Sequence, residues 1–237
     1  MTLKWWALLI GVAGAIQLSL VVVLAVWEKR LIWPYAPPNE ELQPTPNMSR
    51  MVDEARSLGC ERLGVFRDGK GPMYRIRYEF WVSTQRDTLA LLGGGRIGPL
   101  MVDGCWLFTR LADGRYLVTL NDQRASEYDL SGLREEALLP QASLVPLLAY
   151  HRRRASSPGR LSLSYSDSDP LADHRDCLSR KVEATVQRGY AYFSDRSAGV
   201  WHYTIRGAIL LSLGGHWRKF RRNLRPDATG HAGEWQV

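Results

Sequence analysis

Cysteine is scarce in this sequence: the 237 residues include only Cys60, Cys105 and Cys177, at wide spacings. An odd, widely spaced set argues against a disulfide framework and favours a reducing compartment, although a single bridge with one free thiol also fits. The chain also lacks the phosphate-binding G-x-x-x-x-G-K-[ST], zinc-binding H-E-x-x-H and hydrolase G-x-S-x-G patterns. We therefore identify no catalytic motif, and we expect no cofactor and no metal.

One glycine-rich motif requires a closer test. The segment from Gly93 to Gly98 satisfies G-x-G-x-x-G and follows a predicted strand. Dinucleotide binding needs a helix whose N-terminus meets the pyrophosphate, whereas the segment from Pro99 to Gly104 leads into another strand. The motif therefore predicts a glycine-rich turn between strands.

The densest polar cluster lies around residue 170. It comprises Asp167, Asp169, Asp173, His174, Asp176 and Cys177. His174 and Cys177 are three residues apart and could share a helix face, but the aspartates fall on a neighbouring face and lack calcium-loop spacing. We interpret the cluster as an N-cap followed by an acidic first turn that complements the helix dipole.

The N-terminal segment contains the one long apolar run. Trp5 to Trp27 are 23 residues without a charge, and at about 1.5 Å per residue they would cross the ~30 Å hydrocarbon layer. The run is too long for the apolar part of a signal peptide and does not end in a small-x-small cleavage site. Residues 1–30 are therefore predicted to be an uncleaved transmembrane anchor.

Orientation and helix contacts of this anchor are weakly specified. The flanking charges balance, while the odd cysteine count and a basic C-terminus favour a cytoplasmic domain at a bacterial inner membrane; an extracytoplasmic domain is the alternative. Small side chains recur every four residues and form a candidate helix-docking stripe for a membrane-protein partner or a second copy. The stripe comprises Ala7, Gly11, Ala15 and Ser19.

The following segments alternate between breaks and regular patterns. Residues 31–47 hold five prolines and predict a semi-rigid linker. A short helix is predicted from Ser49 to Leu58. Strands are then predicted at 61–66, 74–82, 87–92, 105–111 and 115–120, and their short connections favour an antiparallel meander.

Helical patterns dominate the remainder. A short helix is predicted from Ser131 to Leu139, a second from Leu144 to Arg154, and a third after Asp169-Pro170 with Leu171, Leu178, Val182 and Val186 toward the core. The fold class is therefore α+β, with a transmembrane helix followed by an antiparallel β-meander that C-terminal helices cover on one face. We assign the soluble domain to residues 48–225 and a flexible tail to 226–237.

Charge suggests the kind of partner. The formal net charge is +7 and the pI about 9.5, which suits anionic lipid or an anionic protein surface, and specific nucleic-acid binding is not expected. A helix is predicted from Val200 to Arg222, lying on the bilayer or packed in the domain core. Its candidate anionic-lipid contacts are Arg218, Lys219, Arg221, Arg222 and Arg225.

These patterns favour a membrane-anchored accessory or scaffold protein that presents a basic α+β domain to a membrane complex or to anionic lipid. The alternative is an enzyme that acts on a membrane-associated substrate through groups that converge only in the folded chain. Several titratable groups in a deep pocket would favour the enzyme, and an apolar patch would favour the scaffold.

Overall fold

The computed structural model describes residues 5, 12, 19, 22, 23, 25–38, 42–68, 74–121, 132–165 and 169–210. In chain order, its elements are β1 (Arg30–Leu31), β2 (Tyr35–Ala36), α1 (Pro46–Ser57), β3 (Glu61–Asp68), β4 (Tyr74–Val82), β5 (Leu89–Ile97), β6 (Leu100–Arg110), β7 (Tyr116–Leu120), β8 (Arg134–Leu138), α2 (Leu144–Ala155), α3 (Pro170–Gln187), β9 (Ala191–Asp195) and β10 (Val200–Tyr203). The chain is α+β, as predicted, and mostly antiparallel.

The main sheet has seven strands in the order β2-β3-β4-β5-β6-β7-β8. Each neighbouring pair from β2 to β7 is antiparallel, which confirms the meander. The last pair, β7 with β8, is parallel. The predicted helix from Ser131 to Leu139 is therefore wrong over residues 134–138. The segment between β7 and β8 is long enough for the crossover that a parallel pair requires.

Helices pack on both faces of this sheet, so the prediction that they cover one face is wrong. On one face, called here the α1–α2 face, Met48, Met51 and Leu147 pack against Trp81 and Leu107. On the opposite α3 face, Cys177 packs against strand residues that alternate with the first set, among them Phe80, Leu91 and Phe108. Both faces of the strands are buried because successive side chains point to opposite sides.

Capping residues fix where the helices begin. Thr45 precedes α1 and its Oγ1 accepts a hydrogen bond from Met48 N at 3.2 Å, so α1 starts at Pro46 rather than near Ser49. Asp169 caps α3 as predicted and accepts from Leu171 N at 2.9 Å.

A second, three-stranded sheet has the order β1-β10-β9. It forms a small core with Val182 of α3, Ala208, and Val22, Ala25 and Val26 from the predicted anchor. Val200–Tyr203 is thus strand, not the start of a helix, because Trp201 and Tyr203 alternate with half-buried neighbours. Helix begins at residue 205, where Ile205 is 65% exposed.

The segment from 28 to 36, predicted to straddle anchor and linker, contributes to both sheets. Arg30 pairs with Trp201 in the small sheet, and Tyr35 pairs with Asp68 in the main sheet. Between them Trp33 stacks on Phe80, with ring centroids 6.0 Å apart. The segment therefore crosses the α3 face and pairs with both sheets before the chain reaches α1.

The described residues of the predicted anchor are all helical up to Trp27. No helix among the described residues is both long enough and apolar enough to cross a membrane.

Candidate anion-binding surface

Four arginines form a grid at one end of the main sheet. Arg67 lies directly opposite Arg77, and Arg75 directly opposite Arg96, on adjacent antiparallel strands. Arg75 and Arg77 alternate in β4 with Ile76, so all four side chains belong to the α1–α2 face. The strand register therefore gathers cations that lie up to 29 residues apart in the sequence.

Two of these arginines are satisfied by their surroundings. Arg77 donates from Nε and Nη2 to Glu79 Oε1 at 2.9 and 2.6 Å, and from Nη1 to the Leu42 carbonyl at 3.0 Å. Arg67 donates to the Pro37 carbonyl at 3.3 Å. Glu79 is almost fully buried, so this ion pair belongs to the packing of the domain.

Arg75 and Arg96 differ from the other pair. Both are exposed, and within the described residues neither guanidinium has a hydrogen bond, an ion pair or an aromatic ring as partner. Like charges directly opposite on neighbouring strands destabilise a sheet by roughly 0.2–1 kcal/mol. Arginine presents a planar fork of donors that matches carboxylate or phosphate oxygens. An anion between the two side chains would turn the repulsion into attraction.

Exposed aliphatic side chains lie beside this pair, in the β5–β6 hairpin. Leu100 is 65% exposed and Met101 is 56% exposed. Met101 is directly opposite Arg96 and shares the face of the arginines, whereas Leu100 is directly opposite Ile97 and belongs to the other face of the hairpin. The connecting turn is Gly98-Pro99, and Gly98 has φ 56°, the positive value that a primed two-residue turn needs at its first central position. We call these four residues, Arg75, Arg96, Leu100 and Met101, the hairpin-end surface.

The glycine motif that resembled a dinucleotide fingerprint lies in the same hairpin. Gly93 to Gly95 are part of β5 itself rather than of a turn, and the chain continues into β6 without the helix that a dinucleotide fingerprint requires. A Cβ on Gly94 would lie 2.8 Å from Met48 Cβ and 2.8 Å from Thr45 Oγ1. The glycines therefore serve packing: they let the first turn of α1 approach the strand.

A buried polar network crosses the α1–α2 face away from the hairpin. His151 Nε2 lies 2.9 Å from Thr109 Oγ1, and His151 Nδ1 lies 2.8 Å from Thr119 Oγ1. Because the Thr109 hydroxyl donates to the Asp87 carbonyl at 2.8 Å, its oxygen accepts from Nε2–H, and Nδ1 accepts from Thr119. Burial first, and then the Arg154 charge, lower the pKa of His151 to about 3. The imidazole is neutral and structural.

His174 is buried on the α3 face in an aromatic setting. Its ring centroid lies 4.6 Å from that of Phe108 and 5.4 Å from that of Phe80, and neither ring nitrogen has a hydrogen-bond partner within the described part of the chain. Burial lowers the pKa of His174 to about 3. Cys177 shares this face, which the spacing allowed, and is buried there; burial raises the pKa of its thiol to about 11.

The acidic residues of the same cluster have structural partners. Asp169 caps α3, and Asp173 accepts from Arg110 Nη1 at 3.0 Å. Among the described residues, no group of three or more His, Cys, Asp or Glu side chains is placed to hold a metal ion. All three cysteines are free thiols.

The two predicted contact sets, the helix-docking stripe and the C-terminal lipid contacts, lie largely outside the residues that the structure describes. Ala7, Gly11 and Ala15 lie outside the described residues, and Ser19 is helical and exposed. Arg218, Lys219, Arg221, Arg222 and Arg225 also lie outside the described residues. The helix-docking stripe and the C-terminal lipid contacts therefore remain predictions.

Comparison with protein-family models, with curated proteins and with solved structures gives no match. The hairpin-end surface is therefore assessed on its own geometry. Sequence reasoning missed it, although one signal was present: Arg75 and Arg77 alternate with apolar residues in a strand whose neighbour carries Arg96.

Proposed function

We propose that this chain is a membrane-anchored accessory or scaffold protein that holds its basic α+β domain against an anionic surface of a membrane complex or of a lipid. The observation that carries the proposal is the Arg75–Arg96 pair, which has no partner within the described part of the chain and lies beside the exposed Leu100 and Met101. A solvated sheet end would gain nothing from two opposed cations. A surface that receives an anionic and partly apolar partner requires both features.

The predicted anchor supports the same function. Its last turn packs into the small core, where Ala25 is buried against residues of α3 and β10. The end of the predicted anchor thus packs against the domain, which suits a protein that fixes a binding surface near the bilayer.

The enzyme alternative has less support. The histidines with the most displaced pKa values, His151 and His174, are enclosed in the core, and burial is the main cause of both shifts. Their surroundings account for them without a substrate.

The test uses the full chain in its native membrane with chemical crosslinking. Wild type is compared with the double variant Arg75→Gln/Arg96→Gln and with Arg188→Gln, an exposed arginine elsewhere. We expect all three to stay in the pellet after alkaline extraction, because a spanning helix is held far more firmly than an adsorbed protein. Crosslinked products, whether with protein or with lipid, should disappear only in the double variant. Release of wild type at alkaline pH, or identical crosslinks in all three proteins, would refute the proposal.

A further inference from the structure

The composition of the hairpin-end surface narrows the kind of anion it can bind. A soluble anion would need only the arginines, and the aliphatic side chains would then be exposed to water without benefit. Leu100 lies one residue nearer the two-residue turn than the row formed by Arg75, Arg96 and Met101, so it can enter a soft apolar layer while the long arginine side chains of that row stay at its surface. Cationic side chains above apolar ones are typical of elements at the headgroup boundary of a bilayer.

Sheet geometry places this surface far from the anchor junction. The β5–β6 turn is at one end of β6, an 11-residue strand, which at about 3.3 Å per residue is roughly 36 Å long. At the other end, Arg180 of α3 donates to the Gly114 carbonyl at 2.8 Å, and two residues later Val182 packs in the core that contains Ala25. Anchor junction and hairpin end therefore lie toward opposite ends of the same strands.

We infer that the hairpin end binds the phosphate-bearing face of an anionic phospholipid bilayer, with Arg75 and Arg96 on lipid phosphates and Leu100 and Met101 at the acyl boundary. The inference rests on the proposed function, because it uses the anchor as a first attachment and the hairpin as a second. Two attachments at opposite ends of β6 lay the strands along the bilayer. The anionic surface is then the lipid itself rather than a protein.

The experiment places a polarity-sensitive fluorophore on the hairpin of the full chain. Leu100→Cys is labelled in a Cys60→Ala background, where Cys105 and Cys177 remain buried. Val145→Cys is the matched control, since Val145 is 45% exposed and lies on α2, away from both ends of β6. Each protein is reconstituted in vesicles of phosphatidylcholine, with or without phosphatidylglycerol, and with quenchers attached to the acyl chains.

We expect the Leu100 probe to shift to the blue and to be quenched in anionic vesicles, while the Val145 probe does not change. At low salt, adding Arg75→Gln and Arg96→Gln should lower the ratio of bilayer-bound to free hairpin by about thirtyfold, and high salt should act in the same direction. A Leu100 probe that stays water-like in anionic vesicles would overturn the inference. Equal quenching in neutral vesicles, or quenching that the arginine variants do not change, would overturn it as well.

Failure of the inference and failure of the proposed function give different results. Protein that resists alkaline extraction but carries a water-like probe keeps the anchor and loses only the lipid contact. Protein that leaves the vesicles at alkaline pH loses the anchor and the proposed function with it. The melting temperature of each variant is measured beside wild type, so an unfolded variant is recognised directly.

Discussion

Acidification should destabilise the domain through its two buried histidines. His151 and His174 both have pKa values lowered to about 3, chiefly by burial, whereas an exposed histidine titrates at about 6.5. Between these two pH values, both histidines bind a proton in the unfolded chain but not in the folded chain. Stability is therefore fully present above about pH 6.5 and falls as the pH drops toward about 3.

The expected size follows from the displacement. A pH of about 5 is some 1.5 units below the pKa of each histidine in the unfolded chain. Proton binding by the unfolded chain then removes roughly 2 kcal/mol of unfolding free energy for each histidine and roughly 4 kcal/mol for the pair. For a chain of this length that loss lowers the melting temperature by about 10 °C. The two histidines differ in which side chain can replace them. His174 has no hydrogen-bond partner in the described structure, so Phe should fit without loss, whereas His151 serves two threonines.

Thermal unfolding of the full chain in mild detergent, followed by near-ultraviolet circular dichroism at about pH 7.5 and about pH 5, measures the effect. His174→Phe should be as stable as wild type or more stable at the higher pH, and should lose about half of the acid sensitivity. His151→Gln should lose the other half but start from lower stability, because Thr109 and Thr119 lose part of their network. Arg188→Gln, an exposed substitution that changes no histidine, is the control and should keep the pH dependence of wild type. A melting temperature independent of pH in wild type, or an unchanged pH dependence in both core variants, would refute the reasoning.

Other outcomes follow from packing and charge. Gly94→Ala should cost about 1–3 kcal/mol, because the new methyl group meets Met48 and Thr45, whereas Gly132→Ala, with open space around it, should cost far less; equal melting curves would contradict this packing. Arg75→Gln should raise the free energy of unfolding by up to about 1 kcal/mol at low salt, and a loss measured by urea denaturation would mean that the pair is not repulsive. Gly11→Ile should weaken association of the full chain in bilayers, measured by energy transfer between labelled copies, and Leu9→Ile should not; equal association would leave the stripe without a role.

Much of the sheet could be predicted from local patterns. Strands β3, β4 and β7 follow alternation and turn residues closely, and Asp169-Pro170 marked the start of α3. The errors occur where long-range pairing decides the structure. Residues 134–138 carry charged residues that suit a helix, but the edge position beside β7 satisfies them. Arg115 Nη1, for example, donates to Glu135 at 2.7 Å.

The hairpin-end surface could not be predicted from the sequence for a related reason. Each arginine of the grid is ordinary in its own strand, and only the register places Arg75 against Arg96. Likewise, no role could be assigned to His151 of α2, because its partners Thr109 and Thr119 come from two different strands, β6 and β7. Local sequence specifies which side chains face outward, whereas pairing between distant segments specifies which of them meet.

The way the chain leaves the predicted anchor has a mechanical consequence. Tension applied to the domain would reach β1 and β2 first, and each of these strands is only two residues long. Antiparallel pairs loaded from one end open bond by bond, so these short strands should peel away at forces that leave the longer strands of the main sheet intact. Peeling the residues from Arg30 to Ala36 would add about 25 Å of slack. The segment would thus lengthen before the main sheet carries any load.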